Sequence, residues 1–226
     1  MKLKPALKIA AIAFIAVFMT GKTFLFADYA ADEKILREAV AKNPKDYEAA
    51  TQLGSLYWDV GKRRAAIGLF RKAMKTAPDY PPPYFFLGQA YILERKPEKG
   101  FAQFNFFEKK MEALPGIDEN AADFYSMALH AISRAYFRMK DYKKAASICK
   151  KIIKLNPDNQ AAHYNLAVCY YIYYHQRSKA YSELKKVIDI RPSSRIAAKA
   201  EFYIDYMRRN PDSRMIGDFD FIDEKE

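Results

Sequence analysis

A chain of 226 residues, half of them hydrophobic and 15% aromatic, can bury one medium-sized core, and that aromatic content excludes a disordered bulk. Only 8 Gly and 11 Pro exclude collagen-like and linker-rich classes, and two cysteines, Cys149 and Cys169, are too few for a disulfide framework. The net charge of +11 falls to +7 once Lys2, Lys4, Lys8 and Lys22 are set aside; a basic body of that size favours acidic partners, anionic lipid or polyanions without choosing among them.

Residues 1–27 read as a signal peptide or an N-terminal anchor. Residues 1–8 are basic and residues 9–19 continuously apolar, the order of a secretory leader. Eleven apolar residues fall short of the roughly 20 that a spanning helix needs. With Lys22 snorkelling, residues 9–27 can still just cross a bilayer as an uncleaved anchor. Either way the chain is expected to be exported, to a bacterial periplasm or cell envelope. Cleavage after Ala27 would place Leu25 where a small residue is preferred.

A lone helix is predicted over residues 32–43, closed by Pro44. From Tyr47 the chain then repeats itself. Pro44 and Pro78, Gly54 and Gly88, Tyr57 and Tyr91, and Tyr136 and Tyr170 are each 34 residues apart. Ala145 and Ala180, and Pro157 and Pro192, are 35 apart. One period shared by several residue types marks a stacked helix-pair array.

The first repeat, residues 47–80, carries Ala50, Leu53, Gly54, Tyr57, Ala66, Phe70, Ala73 and Pro78. The second, residues 81–125, carries Tyr84, Leu87, Gly88, Tyr91, Gly100, Phe104 and Phe107 but lacks the closing proline. It holds 11 extra residues, expected to lengthen the helices on either side of a turn at Leu114-Pro115-Gly116; a protruding loop is the alternative. The third, residues 126–159, carries Leu129, Ile132, Ser133, Tyr136, Ala145, Cys149, Ile152 and Pro157. The fourth, residues 160–194, carries His163, Leu166, Ala167 and Tyr170 and, after one inserted residue in its turn, Ala180, Leu184, Val187 and Pro192. In each repeat a small residue on the first helix and Ala or Gly on the second let the two approach, and a large residue fills the remaining space. Residues 195–209 read as a capping helix with Ile196, Ala200, Tyr203 and Met207 inward, and residues 210–226 form an acidic tail of net charge −4 that also holds Phe219–Ile222.

These residues at this spacing resemble the tetratricopeptide-repeat (TPR) family. The resemblance implies an all-α fold over residues 28–209, a right-handed superhelical solenoid of antiparallel helix pairs with about four repeats, a flanking half-repeat and a capping helix. It also implies a non-enzymatic scaffold for protein–protein interaction, in which the first helices line a concave groove. Carrying the family's groove positions onto this chain gives Trp58, Phe85, Gln89, Ile92, His130, Arg134, Phe137, Arg138, Tyr164, Val168 and Tyr171 as partner-binding candidates. They are expected to form an exposed aromatic strip that holds a peptide or a partner helix. Arg134 and Arg138, one turn apart, can both reach a ligand carboxylate.

The alternative is a groove filled by the protein itself, through the long third-repeat helix, the N-terminal segment, the Phe219–Ile222 tail or self-association. In a docked tail, Asp218 and Asp220 would pair with Arg134 or Arg138. Basic residues, among them Arg71, Lys72, Lys75, Lys143, Lys144, Lys150, Lys151, Lys154, Lys185 and Lys186, fall on the second helices. They read as a solvated convex face; an alternative function is an envelope protein that binds anionic lipid or cell-wall polymer through it. Nucleic acid is disfavoured, because export removes the opportunity to meet it. No catalytic residue, cofactor or metal is expected: HExxH, CxxC, GxSxG and phosphate-loop patterns are all absent from the sequence. His163 falls at a core-facing position and is expected to be a satisfied core histidine. Cys149 and Cys169 lie on neighbouring repeats, where they form either two packed thiols or a disulfide after export.

Overall fold

The computed structural model describes residues 26–210 and Ile222, so the basic-apolar N-terminal segment and most of the tail, Asp218 and Asp220 included, lie outside the described residues. The described residues are all-α, with no strand. They form α1 (Phe26–Lys42), α2 (Tyr47–Asp59), α3 (Arg63–Thr76), α4 (Pro82–Leu93), α5 (Pro97–Glu112), α6 (Glu119–Arg138), α7 (Tyr142–Leu155), α8 (Gln160–Ile172), α9 (Arg177–Ile190) and α10 (Arg195–Arg209). The chain divides into two compact units, Met1–Tyr125 and Ser126–Glu226.

Local chemistry sets the helix starts. The side chains of Asp46, Asp118, Asp141, Asn159 and Ser194 each accept a hydrogen bond from the backbone N–H three residues on, at 2.9–3.1 Å. Each thereby satisfies one of the donors that a helix N-terminus leaves unpaired. Pro82 and Pro97 occupy first-turn positions, where a missing N–H costs nothing. Three-residue turns at residues 60–62, 94–96 and 139–141 fold the second helix of a pair back onto the first. Each turn contains one residue in the left-handed region: Gly61 (φ 78°), Arg95 (φ 59°) and Lys140 (φ 61°). The fourth turn, residues 173–176, is one residue longer, and there the role falls to His175 (φ 50°).

In the first unit α1 packs on α2, α2 on α3, α3 on α4 and α4 on α5. The repeat spacing becomes contact here. A Cβ on Gly54 would lie 2.6 Å from the Phe70 ring, and one on Gly88 would land on the Phe104 ring. Gly88 also faces Gly100 across the α4–α5 crossing, with the carbonyl of Gly88 2.9 Å from a Cβ built on Gly100. Close approach of two backbones at this point therefore requires the absence of a side chain. α1 already includes Phe26, six residues before the predicted start. The stretch 26–31 contains no helix breaker. Tyr57 and Lys62 both donate to the Glu33 carboxylate, at 3.0 and 3.2 Å, and tie α1 to the first pair. The extra residues of the second repeat make α5 16 residues long and α6 20, with the connection at residues 113–118.

In the second unit α7 packs on α8, α8 on α9, and α10 on both α9 and α8. Its core joins Ala161, Tyr164, Val168 and Tyr171 of α8 to Leu184 and Val187 of α9 and to Ile196, Ala200, Tyr203 and Met207 of α10. Cys149 and Cys169 are free and buried. Burial raises the Cys149 thiol well above its usual range and pushes Cys169 up to about 12, so both behave as packed apolar groups.

Candidate functional site

Besides His130 and Ser133 on α6, four buried polar side chains of the second unit lie on α8 or at its start. Three of them serve the fold. Asn159 caps α8. Gln160 directs its amide N–H groups at the carbonyls of Val187 (2.6 Å) and Arg191 (3.0 Å), which the C-terminus of α9 would otherwise leave bare. The ring of His163 places Nδ1 2.6 Å from a Glu183 oxygen and Nε2 2.8 Å from the Pro157 carbonyl. Each ring nitrogen has a polar partner within hydrogen-bond distance. His163 is thus the satisfied core histidine that the sequence called for.

Burial pushes the Glu183 carboxyl up, but hydrogen bonds from His163 and Lys186 outweigh it and hold the group below the usual carboxylate range. A carboxyl whose folded value is depressed contributes stability above its unfolded value and loses that contribution as pH falls through the folded value. The stability difference between the wild type and Glu183→Gln, read from urea midpoints, is expected to narrow from about pH 6 to about pH 3. A difference constant across that range would show that the His163–Glu183 pair adds nothing.

The fourth buried polar side chain, Asn165, does not serve a helix end. Its amide donates from Nδ2 to the backbone carbonyl of Ile222 at 2.8 Å, and its Oδ1 accepts from the Ile222 backbone N–H at 2.9 Å. One side chain thus satisfies both backbone polar groups of a residue 57 positions away, as a neighbouring strand would. Asn165 and Ile222 are both fully buried. The Ile222 side chain belongs to the apolar cluster that contains Tyr164, Val168, Tyr171 and Tyr203. Where the chain leaves α10, Arg177 donates to the carbonyl of Asn210 at 3.0 Å.

This placement corrects the expectation of an exposed aromatic strip. Phe85, His130, Tyr164, Val168 and Tyr171 are buried. In the first unit Phe85 lies within a nest of rings, 5.6 Å from Phe107 and edge-on to Phe124 at 5.7 Å. Phe124 comes from the added first turns of α6, which cover the position that a plain repeat would leave open. In the second unit Tyr164, Val168 and Tyr171 belong to one buried apolar cluster with Ile222. Of the other candidates, Trp58 is half-buried with the Arg63 guanidinium 5.6 Å above its ring, Gln89 and Ile92 are half-buried, and Ile92 packs over Gly100. Arg134 and Phe137 are half-buried, Phe137 edge-on to Tyr142 at 5.1 Å, and Arg138 is exposed. On α7 and α9, Lys143, Lys150, Lys154 and Lys185 reach solvent.

Asn165 and Ile222 were not among the candidates. The one signal in the sequence was a neutral amide inside an otherwise apolar stretch of α8, since a buried amide must find partners. Among the described residues no group of three His, Cys, Asp or Glu side chains is arranged to hold a metal ion, and no helix is long and apolar enough to cross a membrane.

Two family models, both described as tetratricopeptide repeat, match residues 136–202 and 49–84. A comparison with curated proteins gives no match. Among solved structures, MamA is similar over 77% of this chain and 92% of its own, at 19% identity and a TM-score of 0.59. YrrB, described as a TPR protein with an unusual peptide-binding site, is similar over 89% of this chain and 92% of its own, at 18% identity and a TM-score of 0.56. Yeast Tom70 covers 91% of this chain with 40% of its own length, at 16% identity and a TM-score of 0.64. At these identities the likeness shows a shared fold.

Proposed function

We propose, from the premise that the chain is a tetratricopeptide-repeat protein, that it is an exported or membrane-anchored, non-enzymatic scaffold that holds an extended segment of a partner protein against α8, in the seat that Ile222 takes here. One observation carries this reading: the Asn165 amide hydrogen-bonds both the backbone N–H and the backbone C=O of a single residue outside the helices, at 2.9 and 2.8 Å. Such a pairing reads backbone and accepts any strand whose side chain fits the apolar seat below. The two covered places differ in kind. Phe124 is part of a 20-residue helix and packs edge-on to Phe85. Ile222 enters from outside the helices, so a partner strand of the same shape can take its place. The description of YrrB supports peptide binding as something this fold can do. Export rests on the basic and then apolar order of residues 1–19.

The test is a photoreactive residue at Phe202, an exposed position on α10 that lines a cleft with Tyr164, introduced into the full chain in cells. Crosslinks are mapped by mass spectrometry in the wild type and in Ile222→Asp. The expected result is a defined segment of one partner protein, captured more strongly by Ile222→Asp. Crosslinks confined to the chain's own residues in both backgrounds overturn the scaffold reading. Recovery of the full-mass chain in the cytosolic fraction overturns export.

A further inference from the structure

Tyr164 of α8 and Arg195, Ala198, Lys199, Phe202 and Tyr203 of α10 line an open cleft of about 320 Å³. Tyr164 links the two places, since it lines the cleft and packs in the same cluster as Ile222. Arg195 and Lys199 stand one turn apart on α10, Arg195 exposed and Lys199 half-buried, so both can present charge along one face. Phe202 is 64% exposed, an unusual position for a large apolar ring on a face that carries two cations.

The sequence around the seated residue complements this chemistry. Ile222 is preceded by Asp218, Phe219, Asp220 and Phe221 and followed by Asp223 and Glu224. An extended strand advances about 3.3 Å per residue, so a carboxylate two positions from a seated residue lies about 7 Å along the strand, within the span of an Arg or Lys side chain.

We propose that the Asn165 seat and this cleft form one recognition site for an extended acidic segment with an aliphatic residue at its centre. Asn165 pairs with the backbone of the aliphatic residue, whose side chain enters the cluster of Tyr164 and Val168. Arg195 and Lys199 take carboxylates within two positions of it, and Phe202 packs against an aromatic or apolar flank. The partner is therefore a protein with an acidic, aliphatic-centred strand, and the chain's own Asp220-Phe221-Ile222-Asp223-Glu224 is the template for it. This inference rests on the preceding reading that a partner segment replaces Ile222.

The experiment measures fluorescence anisotropy of a labelled decapeptide with the sequence of residues 217–226, against the full chain carrying Ile222→Asp to vacate the seat. Ile222→Ser serves as a second background should the first fold poorly. The vacated chain is expected to bind the decapeptide about tenfold more tightly than the wild type, whose own tail competes. Arg195→Glu and Lys199→Glu, in the vacated background, are each expected to weaken binding about tenfold, and so is replacing the peptide's acids by their amides. A peptide of amides that binds as well as the acidic one, with Lys199→Glu without effect, overturns the acidic specificity and leaves the seat standing. Failure of both peptides to bind both vacated backgrounds overturns the seat and the specificity together.

Discussion

Replacing Gly88 by alanine is expected to destabilise the first unit by about 1–3 kcal/mol, because the added methyl overpacks the α4–α5 crossing. The new carbon would land on the Phe104 ring and lie 3.1 Å from the Gly100 carbonyl. The ring has little room to yield, since Phe104 is itself buried within 6.1 Å of Phe85 and 6.2 Å of Phe101. The backbone carbonyl cannot yield without moving α5. Gly68 supplies the control: it is an exposed interior position of α3, with nothing within 4 Å of an added Cβ. Gly68→Ala is expected to stabilise by roughly 0.5–1 kcal/mol through helix propensity alone. Urea or thermal unfolding of the two variants separates packing from propensity, and equal effects of the same sign would contradict the crossing described here.

Asn165→Ala is expected to raise the hydrogen-exchange rate of the Ile222 backbone amide about tenfold or more. Two hydrogen bonds of ordinary net strength, about 0.5–1.5 kcal/mol each, are lost together, and each 1.4 kcal/mol is a factor of ten in an equilibrium. The Ile222 N–H and C=O would otherwise sit buried without partners, so the cheaper course for the variant is to release that residue to water. The rest of the second unit is expected to stay folded, because α8 remains packed on α7, α9 and α10. An Ile222 amide that exchanges at the rate of an unprotected residue in the wild type would refute the seat.

Much of the fold was legible before any coordinates. Glycine, alanine, tyrosine and proline recurring at 34 or 35 residues specified helix pairs. The contacts explain the recurrence, since Gly54 receives the Phe70 ring and Gly88 the Phe104 ring. The inserted residue in the fourth turn and the lengthened α6 followed from the same spacing. Such features are legible because they depend on contacts within one repeat, where sequence distance and spatial distance are tied.

The site was less legible. The groove positions of the resemblance pointed to α8 through Tyr164, Val168 and Tyr171, and treated them as open to solvent. The packing that buries such positions comes from elsewhere in the chain: Phe124 packs edge-on to Phe85 in the first unit, and Ile222 joins the cluster of Tyr164 in the second. Repeat periodicity carries no information about such packing, because neither Phe124 nor Ile222 belongs to the period. The sequence by itself determined the helix pairs, their turns and the apolar face of each helix, all set by local propensity and by spacing within a repeat. Only the tertiary structure decided that Asn165 meets a backbone residue 57 positions away, because that pairing depends on where a non-repeating segment comes to rest.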